Sequence, residues 1–120
     1  MLVHGVRFRS ELAYRDFIDW ELTAHEHLGD LVRSKLIYYP TVTRERFKFE
    51  GRITELIESG KLFDDVGLPR LDAADDRAMI CGSPAMLKDL SALLDAHGLR
   101  ISPQIGDPGD YVIERAFVAR

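Results

Sequence analysis

The stretch Cys81-Gly82-Ser83-Pro84 constrains this chain more than any other, because four consecutive residues specify where a strand ends and a helix begins. A short apolar run, residues 78–81, leads into Gly82, which lets the backbone turn tightly. Ser83 is a good N-cap, since its hydroxyl accepts from an orphan amide of the first turn. Pro84 suits the first helical position, whose N–H has no partner in any case. Downstream, Met86, Leu87, Leu90, Leu93, Leu94 and His97 fall at i, i+3, i+4 and i+7 spacing, and Gly98 follows as a C′ residue able to adopt positive φ. A thiol therefore closes a strand beside a helix N-terminus, an end that favours anions, and a nucleotide can approach there.

At 120 residues, 46% hydrophobic and 30% charged, the chain has the composition of one soluble globular domain spanning residues 1–120. Its apolar runs are far short of a membrane span, and Met1-Leu2-Val3-His4 has neither the basic start nor the apolar stretch of a signal peptide, so the expected home is the cytoplasm, with no membrane partner. A single cysteine forms no internal disulfide and no cysteine-rich metal site, which fits a reducing compartment. The net charge of −4 argues against nucleic-acid binding. Local charge is uneven: Arg7, Arg9, Arg44, Arg46, Lys48 and Arg52 contrast with Asp64, Asp65, Asp72, Asp75 and Asp76.

Leu2 to Val6 reads as a strand ended by Arg7. Ser10 then caps an expected helix with Ala13, Tyr14, Phe17, Ile18 and Trp20 on its apolar face. After a polar connection around residues 25–30, residues 35–42 are rich in aromatic and β-branched types and read as a second strand, in which Pro40 favours an edge position or a bulge. Residues 44–51 form a charged loop, Ile53 to Ser59 a short helix stopped by Gly60, and Gly67-Leu68-Pro69 opens an irregular acidic segment that leads to the strand ending at Cys81. Two prolines and two glycines make residues 101–109 a loop, and residues 111–115 read as a last strand. Strands alternating with helices predict an α/β fold with a doubly wound parallel sheet, built from right-handed crossovers and covered on both faces.

In such a sheet, ligands bind outside the carboxyl ends of the strands. Arg7 follows the first strand, Thr43 and Arg44 the second, and Cys81 closes the third, so three signals fall on one rim. Arg52 lies across a loop able to fold back over Arg44, and two guanidinium forks suit a phosphate monoester. The plain alternative is solvated surface charge. For Cys81 the alternative is a small buried hydrophobe beneath a helix, and no neighbouring histidine or lysine equips it as a covalent nucleophile. His4, His25, His27 and His97 lack a ligand-like spacing, so no metal site is expected. Asp72 to Asp76 read as a solvated loop, with Asp76 close to the strand leading to Cys81, and no G-x-G-x-x-G or Walker-type run is present.

Taken together, Val3-His4-Gly5-Val6-Arg7, Tyr38-Tyr39-Pro40-Thr41-Val42-Thr43-Arg44-Glu45, Gly51-Arg52, Cys81-Gly82-Ser83-Pro84, and Gly109-Asp110-Tyr111 through Ala116-Phe117-Val118 resemble the Rossmann-like NADP-binding half of bacterial ferredoxin (flavodoxin)–NADP reductases, along the whole chain. The resemblance implies an oxidoreductase that exchanges hydride between NADP(H) and FAD, and single electrons with ferredoxin or flavodoxin. It implies that Thr43, Arg44 and Arg52 hold the 2′-phosphate of NADP, with Arg7 near the pyrophosphate and Asp76 near the adenosine end. Cys81, followed by Gly82 and Ser83, should lie beside the nicotinamide where hydride passes, and the tail Ala116-Phe117-Val118 should reach back to FAD.

Family members also carry an upstream strand and helix joined by a glycine- and threonine-rich pyrophosphate loop, and before it a flavin-binding β-barrel. Neither is found in this sequence. The expectation is a carboxyl-terminal piece of a reductase, inactive without an FAD domain and retaining no FAD. Readings that stay open beside it are a non-catalytic NADP- or anion-binding module and an inactive truncated product. In the expected strand order 3-2-1-4-5 the missing first strand would sit between the Leu2–Val6 and Ala78–Cys81 strands, so marginal stability and self-association through an incomplete sheet are expected as well.

Overall fold

The structure, a computed structural model, describes residues 1–114. The chain divides into two compact units, Met1–Leu62 and Phe63–Arg120.

In the first unit, β1 (Leu2–Val6) and β2 (Tyr38–Val42) pair in parallel, with Leu2 opposite Tyr38 and Val6 opposite Val42. β2 is the buried strand: Tyr39 and Val42 are wholly enclosed, and Phe49 stacks on Tyr39 with ring centroids 3.9 Å apart. Pro40, with no N–H to donate, sits opposite His4 in a strand with a single ladder neighbour, the edge position its chemistry favours. Gly5 faces the first residue of α2 (Ile53–Ser59), which ends at Gly60 in the left-handed conformation.

Between β1 and β2 the expected Ser10-capped helix does not form. The carboxylate of Glu11 accepts the amide of Phe8 at 3.0 Å, so the chain turns two residues early, in a 3-10 turn over Arg9–Glu11 that contains Ser10 and is closed at Leu12. The next turn of chain, Phe17–Leu22, is wound more widely than an α-helix, so a 3.6-residue face is not kept. Ile18 is buried, whereas Tyr14 and Trp20 are 65% and 72% exposed. Residues 35–42 are not all strand either: Lys35 ends helix α1 (Gly29–Lys35), and β2 begins at Tyr38.

The second unit follows the sequence more closely. α3 (Lys61–Val66), which the sequence does not announce, precedes the acidic segment. β3 (Ala78–Cys81) pairs in parallel with β4 (Tyr111–Glu114), Cys81 opposite Glu114. α4 (Pro84–Ala96) begins as its signals require, with the Ser83 hydroxyl accepting the Met86 amide at 3.2 Å, and Gly98 adopts φ 84° just past its end. Leu87, Leu90, Leu93 and Leu94 are buried, and Met86 and His97 are more exposed. Tyr111 is buried with its hydroxyl 2.7 Å from Asp95 of α4, and burial, helped by that carboxylate, holds its proton more firmly than usual.

The fold is α/β with parallel strands. Its described strands form two two-stranded sheets, β1-β2 and β3-β4.

Candidate functional site

The expected site residues divide between the units. In the first, hydrogen bonding continues past the end of the β1-β2 ladder: the amide of Thr43 donates to Val6 O at 3.1 Å, and that of Arg44 to Arg7 O at 3.0 Å. Arg7, Thr43 and Arg44 thus share the carboxyl rim of the sheet, all exposed. The loop after Arg44 returns to the same strand end. Phe49 O accepts the Val42 amide at 3.2 Å, the Gly51 amide donates to Val42 O at 3.0 Å, and the Thr41 hydroxyl donates to Gly51 O at 2.8 Å. This return brings the backbone of Arg52, the N-cap of α2, back to the strand that carries Thr43 and Arg44.

The loop is braced on its outer side. Glu45 accepts the backbone amide of Arg9, Glu50 accepts that of Phe47 at 2.8 Å, and the Arg15 guanidinium lies 4.8 Å from the centre of the Phe47 ring. Arg44, Arg46 and Arg52 project exposed guanidinium groups, and among the described residues none of them is in an ion pair. Arg7 differs. Its guanidinium meets Glu11 at 3.0 Å, a contact that raises its pKa and lowers that of Glu11. Both side chains are solvated, and exposed ion pairs of this kind are weak.

In the second unit Cys81 ends β3 with its thiol free and exposed, which sets aside the buried-hydrophobe reading. Gly82 is closely approached by Met86: a Cβ there would lie 2.4 Å from its sulfur. Asp76 is spent locally, its carboxylate accepting the Asp72 amide at 2.7 Å while its own amide donates to Asp72 O at 2.8 Å. It shapes the turn before β3. Ala116, Phe117 and Val118 lie outside the described residues. Among the described residues no group of three or more His, Cys, Asp or Glu is placed to hold a metal ion, and no helix is long and apolar enough to cross a membrane.

Sequence reasoning missed the groups that hold this site: Thr41, Glu45 and Glu50. A threonine within an aromatic, β-branched run reads as a strand former, and nothing local marks its hydroxyl as a donor to a residue ten positions away.

The chain is 63% identical over 120 residues to a ferredoxin–NADP reductase of Pseudomonas aeruginosa and 58% identical over 120 residues to one of Azotobacter vinelandii, in each case across all of this chain. Over its whole length the chain is similar to ferredoxin–NADP reductases. It spans about half the length of the curated relatives it matches, 46% of each of these two. A flavodoxin/ferredoxin–NADP reductase of Rhodobacter capsulatus is 41% identical over 118 residues. The fold agrees with that similarity: a crystal structure of a ferredoxin NADP+ reductase from Neisseria gonorrhoeae with bound FAD and NADP matches with a TM-score of 0.77 and 26% identity. The match covers 97% of this chain and 44% of that one. No protein-family profile matches the chain.

Proposed function

We propose that residues 1–120 form the NADP(H)-binding part of a ferredoxin/flavodoxin–NADP reductase. The oxidoreductase reaction joins hydride exchange with NADP(H) to single-electron exchange with ferredoxin or flavodoxin in the cytoplasm. The observation that carries this reading is the return of the 44–51 loop to the end of β2, which brings the backbone leading into Arg52 back to the strand that precedes Thr43 and Arg44. Two unpaired guanidinium forks and a hydroxyl match a phosphate dianion, and a 2′-phosphate is the group that separates NADP from NAD. Arg7, one ladder step from Arg44, suits the pyrophosphate. Asp76 acts at the adenosine end through the turn it closes. Cys81, with Gly82 and Ser83 behind it, offers a small exposed side chain against which a nicotinamide ring stacks.

FAD, where bound in this family, supplies the exchange between hydride and single electrons. The described strands form two open two-stranded sheets, β1-β2 and β3-β4. The free backbone edges of those sheets support self-association.

Titration calorimetry with NADP+ and NAD+ tests the proposal. Replacing both Arg44 and Arg52 by alanine should weaken NADP+ binding, at roughly 1.5–3 kcal/mol for each lost charge-assisted contact, and leave NAD+ almost unchanged. Equal losses for both nucleotides would show that these arginines do not read the 2′-phosphate. Binding of inorganic phosphate as strong as that of NADP+ would favour a general anion-binding module instead.

A further inference from the structure

We infer that Thr41 is a positioning residue for 2′-phosphate recognition, acting through the carbonyl of Gly51 to fix where Arg52 stands relative to Thr43 and Arg44. The inference rests on the proposed role of those three residues as readers of the 2′-phosphate. Thr41 is 0% exposed, and among the described residues it is the buried polar side chain other than tyrosine. A buried hydroxyl costs free energy unless it is hydrogen-bonded, and this one is: its Oγ1 donates to Gly51 O at 2.8 Å.

The acceptor is the peptide that leads into Arg52. Gly51 has φ 125°, a conformation L side chains rarely adopt, so the chain at this point is not held by its own preference and depends on its partners. Those partners are all on β2, through the Thr41 hydroxyl and Val42 O. On the far side of Arg52, Ile53 is pinned as well. It stands so close to Gly5, the ladder partner of Thr41, that a Cβ on Gly5 would lie 3.1 Å from its Cδ1. Arg52 therefore sits between two fixed residues, and its exposed side chain starts from a backbone set by Thr41 and Gly5. Valine would fill the same space at position 41 and lose the bond.

The test uses the whole 120-residue chain and compares Thr41→Val, Thr41→Ser and Arg52→Ala with the parent. Affinities for NADP+ and NAD+ are read by calorimetry, and amide hydrogen exchange is followed across residues 43–52. Thr41→Val should weaken NADP+ binding by about 3- to 10-fold, change NAD+ by less than about twofold, and speed exchange of the Gly51 amide, all reversed by Thr41→Ser. The inference is overturned if Thr41→Val spares NADP+ while Arg52→Ala does not, if it weakens both nucleotides equally, or if Thr41→Ser behaves like Thr41→Val. Arg52→Ala without selective loss is a failure of the 2′-phosphate reading itself. In that case, accelerated exchange confined to residues 43–52 in Thr41→Val upholds the positioning role, and unchanged exchange overturns it too. Should Thr41→Val not fold, Gly5→Ala presses on Ile53 with the Thr41 hydroxyl intact. The same selective loss of NADP+ then supports the pinning of Arg52, and its absence overturns it.

Discussion

The 44–52 loop of the first unit and the 81–84 turn of the second each carry residues of the proposed nucleotide contacts, yet they are held in opposite ways. The turn is local. Ser83 caps an amide three residues ahead, Pro84 fills the first helical position, and the packed leucines anchor the body of α4. The loop is held by bonds that span many residues: Thr41 to Gly51, Val42 to Phe49 and Gly51, Arg9 to Glu45, and Arg15 to Phe47. A site built by capping is thus already present in a short peptide pattern, whereas a site built by strand-to-loop bonds exists only once β1 and β2 have paired.

The largest expected effect strikes the anchored side. Leu90→Ala removes a buried side chain from the middle of α4 and should cost roughly 2–5 kcal/mol in denaturant unfolding. A loss below about 1 kcal/mol would mean that α4 is held by its caps and not by its buried face. Next comes the loop side. Gly5→Val drives a branched side chain into Ile53 and should cost about 1–3 kcal/mol, with chemical-shift changes centred on residues 51–53. If those amides stay put, Gly5 is not what seats α2. The smallest effect is on the cap itself. Ser83→Ala should cost about 1 kcal/mol and leave the amides of residues 43–52 unmoved, in keeping with a turn that is locally held. Shifts reaching the loop would break the contrast between the two regions.

The sequence by itself determined the elements whose instructions are short-range. β1, β3, α2 and α4 run as their patterns state, and the Ser83 cap and the stops at Gly60 and Gly98 are where they were expected. The end of β1 and the end of β2 also put Arg7 next to Thr43 and Arg44, whose amides donate to Val6 O and Arg7 O, whereas Cys81, expected on the same rim, closes a strand of the other unit. Tertiary structure decided the rest. α1 has no side-chain N-cap and no glycine stop to mark its ends, and α3 follows directly on Gly60, so the residue that stops α2 hides the helix beyond it. Residues 9–22 carry apolar residues at helical spacing, but the Glu11 carboxylate captures the Phe8 amide and winds the chain differently, leaving Tyr14 and Trp20 exposed. Most consequentially, the backbone leading into Arg52 returns to β2 only because a buried threonine and a strand carbonyl draw Gly51 back across ten residues. Capping and periodicity act within a few residues and are legible in order along the chain. A bond that closes a loop is legible only where the folded strands have brought its two ends together.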